Sequence, residues 1–415
     1  MRKIIVAFVI AVSVGLFAAS CSNSQSTVIS IATSTLEEAA TPTQALDRTT
    51  PEIAPTLTNT PDKNGGLIVT FGERVNRQGH WPAIPAFSPD GKMVALISEK
   101  VRLWSVETHE LIHELPKSYS NCYTENAIFS SNGKLLATSI YCLSDSNATG
   151  HVLIWDTDSG TLLHDWEQVF SKNTSKLEGI LNNRPATGIA FLPESSVLAF
   201  ANGNTIEIRD VKENSKSLLL ELGDEMIATD IAISEDGKQL FAFMDFSYPN
   251  APNEIGQKYA LQTWDLKSKT LVDKIEYTEP ENTGYFIEHF DYEMQLVGNL
   301  LIKVDYINKA FEVTNLETGN TRNLDYLGDV ETFLSQDANY VIYLDRFCKN
   351  QRVELWDTQF SQSLYTFDAF GTGGCYGSHA IVFSPNNRIV AIAHEERVSL
   401  WDVSSFIRPK QSGTP

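Results

Sequence analysis

Residues 109–113 read His-Glu-Leu-Ile-His, a full match to the zinc-binding H-E-x-x-H signature. The chemistry would be metal-assisted hydrolysis, with His109 and His113 as ligands and Glu110 as general base. It requires a helix, which stacks the two imidazoles one turn apart. In a strand, four residues span about 13 Å, whereas zinc–nitrogen bonds are about 2.0–2.1 Å long. Both rings then cannot reach one ion, and Glu110 points to the opposite face. Other chemical candidates are weaker. GTGGCYG at Gly371–Gly377 fails the phosphate-cradling G-x-G-x-x-G pattern, because Tyr376 stands at its last position and no helix follows. Cys375 and His379 suggest a thiol nucleophile less than a structural disulfide. DTDSG at Asp156 has the composition of a strand connection, and no G-x-S-x-G elbow exists.

The elements that would position these groups come from a repeat. An apolar strand, a short turn and a second strand recur as AFSPDGKMVALIS from Ala86, AIFSSNGKLLATSI from Ala127 and IAFLPESSVLAFA from Ile189. IAISEDGKQLFAF from Ile231, FLSQDANYVIYL from Phe333 and VFSPNNRIVAIA from Val382 continue it. A weaker copy has HFDYE at His289 and AFEVTNLETG at Ala310, making seven. Each copy carries a third strand, with one position occupied by Trp104, Trp155, Arg209, Trp264, Thr314, Trp356 and Trp401. These are spaced by 51, 54, 55, 50, 42 and 45 residues. Periods of about 40–55 residues with several short strands per unit define a β-propeller. A fourth strand follows the third, and HELIH falls there, so the strand geometry applies and the hydrolase reading fails.

Trp155-Asp156, Trp264-Asp265, Trp356-Asp357 and Trp401-Asp402, with Gly79-His80, resemble the WD-repeat family over about residues 65–407. The resemblance implies four-stranded blades, strand a innermost and d outermost, and an interaction scaffold. The fold class expected is all-β, a seven-bladed β-propeller. Leu67–Gly72 precedes the first copy as an orphan strand, and the seventh copy lacks its outer strand; pairing with Arg397–Trp401 would close the ring.

The first 20 residues read as an export signal. Arg2 and Lys3 precede an apolar run from Ile4 to Ala19, which is short for a membrane span. It ends in Ala18-Ala19-Ser20-Cys21, which resembles the lipobox of bacterial lipoproteins and implies lipidation of Cys21. Residues 21–64 follow as a disordered tether, since 19 of the 43 residues from Ser22 to Asn64 are Ser, Thr or Pro and no apolar period is present. The propeller is expected over 65–407 and a short tail over 408–415. The implied location is the cell envelope, with membrane contact through the N-terminal lipid only.

A net charge of −20 supplies no basic stripe for phosphates, so a nucleic-acid partner is not expected. No cofactor or metal site is expected either. The remaining signal is in the connections. In a propeller the a–b and c–d turns lie on one face, and here they are short. The b–c and d–a connections lie on the other and are long, near 116–126, 142–151, 167–187, 245–259, 277–285 and 368–379. Of the 14 tyrosines, Tyr119, Tyr123, Tyr248, Tyr277, Tyr285 and Tyr376 fall in them, and tyrosine offers large contact area at low rotamer cost. Tyr123, Tyr248 and Tyr285 come from three blades and, with Trp81, form the candidate partner-binding set for a protein or peptide. The alternatives are an envelope enzyme acting on a glycan or peptide at the channel mouth, and a solute-binding sensor. With Cys21 assigned to lipid, strand pairing and a shared face predict the disulfides Cys122–Cys142 and Cys348–Cys375.

Overall fold

In a computed structural model, the structure describes residues 56–57, 66–72, 84–98, 100–116, 122–143, 148–168, 188–223, 228–245, 258–278, 292–305, 310–324, 330–345, 353–358, 362–367, 380–394 and 397–407. The described residues form seven antiparallel sheets and no helix. Blade 1 has strands a to d at Ile84–Phe87, Met93–Ile97, Val101–Ser105 and Leu111–Leu115. Blades 2 to 6 repeat this order, from inner strands at Cys122–Phe129, Ile189–Phe191, Ala228–Ile233, Tyr292–Val297 and Val330–Leu334. Their outer strands are Leu162–Gln168, Ser215–Glu221, Thr270–Thr278, Thr321–Leu324 and Gln362–Phe367. The fifth blade, weakest in sequence, begins at Tyr292, so HFDYE only overlaps its start.

Blade 7 takes three strands from the C-terminus, Ala380–Phe383, Ile389–His394 and Arg397–Asp402. Its fourth is Gly66–Phe71, paired antiparallel with Leu67 opposite Trp401 and Phe71 opposite Val398. The ring therefore closes as expected. Thr56–Leu57, inside the stretch read as tether, adds a short fifth strand to this outer edge.

The recurring Ser-x-Asp/Asn letters build the a–b turns. Ser88 Oγ donates to Asp90 Oδ1 at 2.7 Å and accepts the Met93 amide at 2.9 Å, while Asp90 Oδ1 also accepts the Lys92 amide. Ser130/Asn132, Ser234/Asp236, Ser335/Asp337 and Ser384/Asn386 repeat the pattern. The next residue has positive φ, which is why Gly91, Gly133 and Gly237 stand there.

Each of seven apolar clusters fills one junction between neighbouring blades. One kind of contact organises six of the seven junctions. The residue paired three positions before the strand-c Trp position lies on strand d: Leu115, Trp166, Leu220, Ile275, Leu324, Phe367 and, in the closing strand, Phe71. This anchor packs on the Trp-position residue of the next blade. Phe71 stacks on Trp104 with centroids 4.7 Å apart, and Phe367 meets Trp401 edge-on at 5.5 Å. Leu115 shares a cluster with Trp155, Leu220 with Trp264, and Leu324 with Trp356. Six of the seven anchors are at most 8% exposed. Ile275 is 41% exposed, because blade 5 presents Thr314 where the others present a large side chain. Among the described residues that junction has the smallest cluster, six buried residues against nine to thirteen elsewhere.

The residue two before the Trp position sets the polar partner. Gln262 Oε1 accepts the Trp264 indole N–H and Glu354 Oε2 accepts that of Trp356, both at 3.0 Å. Trp155, with Leu153 in that place, donates to the Pro116 carbonyl instead. Trp104 and Trp401 have Arg102 and Ser399 there. Arginine offers no acceptor, and Ser399 bonds Thr70 across the closure. Among the described residues neither indole N–H finds a partner.

Candidate binding face

The two faces of the ring differ in kind. On the short-turn face, consecutive a–b turns interlock. Pro385 of blade 7 lies against Gly91 of blade 1, Pro89 against Gly133 of blade 2, and Pro193 of blade 3 against Gly237 of blade 4, at 3.6–3.8 Å from where a glycine Cβ would project. The Glu194 amide donates to Ser131 Oγ, and Asn387 Nδ2 donates to Asp337 Oδ2. Neighbouring a–b turns thus meet at five of the seven junctions on this face.

The strand ends from which the long connections leave lie at the opposite face. Cys122 and Cys142 stand directly opposite each other on strands a and b of blade 2 and form a disulfide. Tyr123 is next to it, opposite Tyr141 in the ladder. Tyr248 belongs to the stretch between strands b and c of blade 4, after Asp245 and before Lys258. Tyr285 belongs to the stretch from blade 4 to blade 5, after Thr278 and before Tyr292. Tyr248, Tyr285, Trp81, Cys348 and Cys375 themselves lie outside the described residues, as do Cys21 and the signal segment.

HELIH is not a metal site. The strand begins at Leu111, and His109 sits in the preceding turn at φ 61° beside Phe71. His113 is on strand d, where its Nε2–H donates to the Asp158 carbonyl of blade 2 at 3.0 Å. His164, at the same register in blade 2, donates to the Val211 carbonyl of blade 3 at 2.6 Å. In blade 5 the corresponding Arg322 donates to the Ala338 carbonyl of blade 6. These side chains staple blade 1 to blade 2, blade 2 to blade 3 and blade 5 to blade 6.

Two charged sites are built into junctions. In blade 3, Arg209 replaces the Trp. Its guanidinium lies 5.1 Å from the Trp166 ring centroid and 5.4 Å from that of Phe200. Glu207 accepts from Arg209 Nε and Nη2 at 2.9 and 2.6 Å, from Lys216 at 3.1 Å and from Asn202 at 2.9 Å. Burial raises the Glu207 pKa, but these donors outweigh it and hold the carboxyl below its ordinary value.

In blade 4, Asp230 on inner strand a accepts the Ile231 amide at 2.8 Å and the Leu296 amide of blade 5 at 3.2 Å. The residue as a whole is part-buried, yet its carboxyl is enclosed at the junction. Desolvation outweighs the two amides and pushes its pKa from 3.8 to about 7. The folded value lies above the unfolded one, so the folded state holds the proton more tightly. Stability from this group is full below about pH 4 and declines as pH rises towards 7. Urea midpoints measured from pH 4 to 8 are expected to fall over that window. Asp230→Asn is expected to flatten the fall; an unaltered slope in the variant would count against this assignment.

The fold is that of a seven-bladed β-propeller. No protein-family model matches the chain, and no curated protein does. Solved structures do. One titled "Crystal Structure of Mitotic Checkpoint Complex" is similar at TM-score 0.54 and 16% identity, covering 83% of this chain and 97% of that one. The Cps50 (Swd1) β-propeller domain of Myceliophteria thermophila gives 0.54 and 16%, covering 82% and 99%. Kuenenia stuttgartiensis hydrazine synthase gives 0.52 and 14%, covering 82% and 98%. At these identities the likeness shows the fold.

Proposed function

We propose that this protein is a lipid-anchored propeller of the cell envelope that binds a protein or peptide through its long-connection face. The observation that carries the reading is the asymmetry of the ring. On one face neighbouring a–b turns meet at five of the seven junctions, while the long connections leave from strand ends at the other, where the Cys122–Cys142 disulfide lies. A disulfide at the root of a connection lowers the entropy lost when a partner docks. The similarity to a structure titled as a complex supports an interaction role. Lipidation at Cys21 and export rest on the sequence of the first 21 residues.

Crosslinking in intact cells followed by affinity capture identifies the partner. Tyr248→Ala and Tyr285→Ala are then expected to weaken binding, at least one by more than about 1 kcal/mol, as interface aromatics do. Lys92→Ala and Lys134→Ala, exposed on the short-turn face, should leave affinity unchanged. The opposite pattern, in variants of unaltered melting temperature, would assign binding to the other face.

A further inference from the structure

The outer strand of blade 4, Thr270–Thr278, differs from its counterparts. It has nine residues, against five, seven, seven, four and six in blades 1, 2, 3, 5 and 6. Among the described residues its backbone ladder is to strand c alone. Every residue from Thr270 to Glu276 is exposed, including Leu271, Val272 and Ile275 at 41–57%. These are three of the seven exposed large apolar side chains among the described residues. The cause lies in blade 5. Thr314 occupies the Trp position, and Lys303 pairs with Glu312 beside it, so the Trp position of blade 5 offers Ile275 no aromatic ring. An unpaired edge of this length with apolar side chains is a template for another strand. The outer edge of blade 7 already accepts one in this molecule, since Thr56–Leu57 pairs there.

We infer that the outer strand of blade 4 pairs antiparallel with the same strand of a second copy of this chain, centred on Ile275. The symmetry and the charges favour this register over those centred on its charged neighbours. A two-fold axis perpendicular to the joined sheet keeps each side chain on its own side, so the axis must pass beside a residue that faces itself. Centring on Asp273, Lys274 or Glu276 places like charges opposite each other, which destabilises a sheet. Centring on Val272 sets Asp273 against Leu271. Centring on Ile275 puts Ile275 against Ile275, Lys274 against Glu276 twice, and Val272 against Thr278. Lys274 Nζ and Glu276 already lie 2.6 Å apart within one strand, so the pairing creates a four-charge cluster of alternating sign. The two blades then form one continuous eight-stranded sheet, and the exposed Ile275 is covered by its own copy.

The register can be tested in the full chain by cysteine crosslinking in intact cells. Facing residues of an antiparallel pair have Cα atoms about 4.5–5.5 Å apart, within the span of a disulfide at about 4.4–6.8 Å. Ile275→Cys is expected to give a covalent dimer on non-reducing gels. The unaltered chain and Leu163→Cys, on the exposed edge of blade 2, should not. Adding Lys274→Glu opposes Glu to Glu at both flanks and is expected to reduce the dimer about tenfold or more. Adding Glu276→Lys as well restores opposite charges and should restore the dimer. These side chains are exposed, so folding is preserved. The proposal is overturned if Ile275→Cys crosslinks no better than Leu163→Cys, or if charge reversal leaves the dimer unchanged.

Discussion

Phe71→Ala is expected to destabilise the propeller by about 3–5 kcal/mol, as truncation of a buried aromatic does. Phe71 is fully buried, stacks on Trp104, and belongs to the strand that joins the two ends of the ring. Its loss would open a cavity beside an indole whose N–H already lacks a partner among the described residues. It would also weaken the contact holding Gly66–Phe71 in blade 7. Ile275→Ala, at the same register in blade 4 but exposed, is expected to cost less than about 1 kcal/mol in the monomer. Urea unfolding of the two variants at low protein concentration measures the contrast. Equal losses would show that the anchor position does not organise the junctions.

Glu207→Ala should have a comparable effect. It would leave Arg209 between Trp166 and Phe200 without its carboxylate, and breaking a buried ion pair from one side costs about 3–5 kcal/mol. The Glu207 side chain is only 8% exposed, so water does not readily replace it. The paired change Glu207→Gln with Arg209→Trp restores the arrangement of blade 4, where Gln262 accepts the Trp264 indole N–H. It is expected to recover most of the loss, because a packed apolar contact can replace a buried ion pair at little cost. A double variant no more stable than Glu207→Ala would mean that Arg209 has a role beyond packing. Melting temperatures and urea midpoints of both variants decide this.

The blade count was legible because seven copies share one alternation of apolar residues and one strand-c position, whatever stands there. The closing strand was legible for a similar reason: LIVTFG had no blade and blade 7 had no outer strand. The Cys122–Cys142 bridge followed from antiparallel pairing, which sets the two residues opposite each other. The anchor contact was not legible, since it joins strand d of one blade to strand c of the next, and sequence alignment of the copies compares each blade only with itself. Leu115, Trp166 and Ile275 share a register but not a chemistry. The signal that could have found the exposed Ile275 was Thr314, a small polar residue in a series of large ones. Thr56–Leu57 gave no signal, because two residues carry no period. The candidate tyrosines were legible only by composition, since the long connections have no repeat to set one blade against another.

The strand that completes the ring is among the first parts of the propeller to be made, and its partner among the last. Thr70 Oγ1 and Ser399 Oγ lie 2.9 Å apart but 329 residues distant along the chain. While the chain emerges, Phe71 has no neighbour on the Val398 side, and blade 1 faces a gap where blade 7 will stand. Blades 2 to 6 can assemble from hairpins as they appear, whereas closure must wait for nearly the whole length, the slowest kind of contact to form. Any product cut short before Val398 keeps an open ring with two sticky ends. The junction of the first-made and last-made strands is therefore what distinguishes a finished ring from an unfinished one.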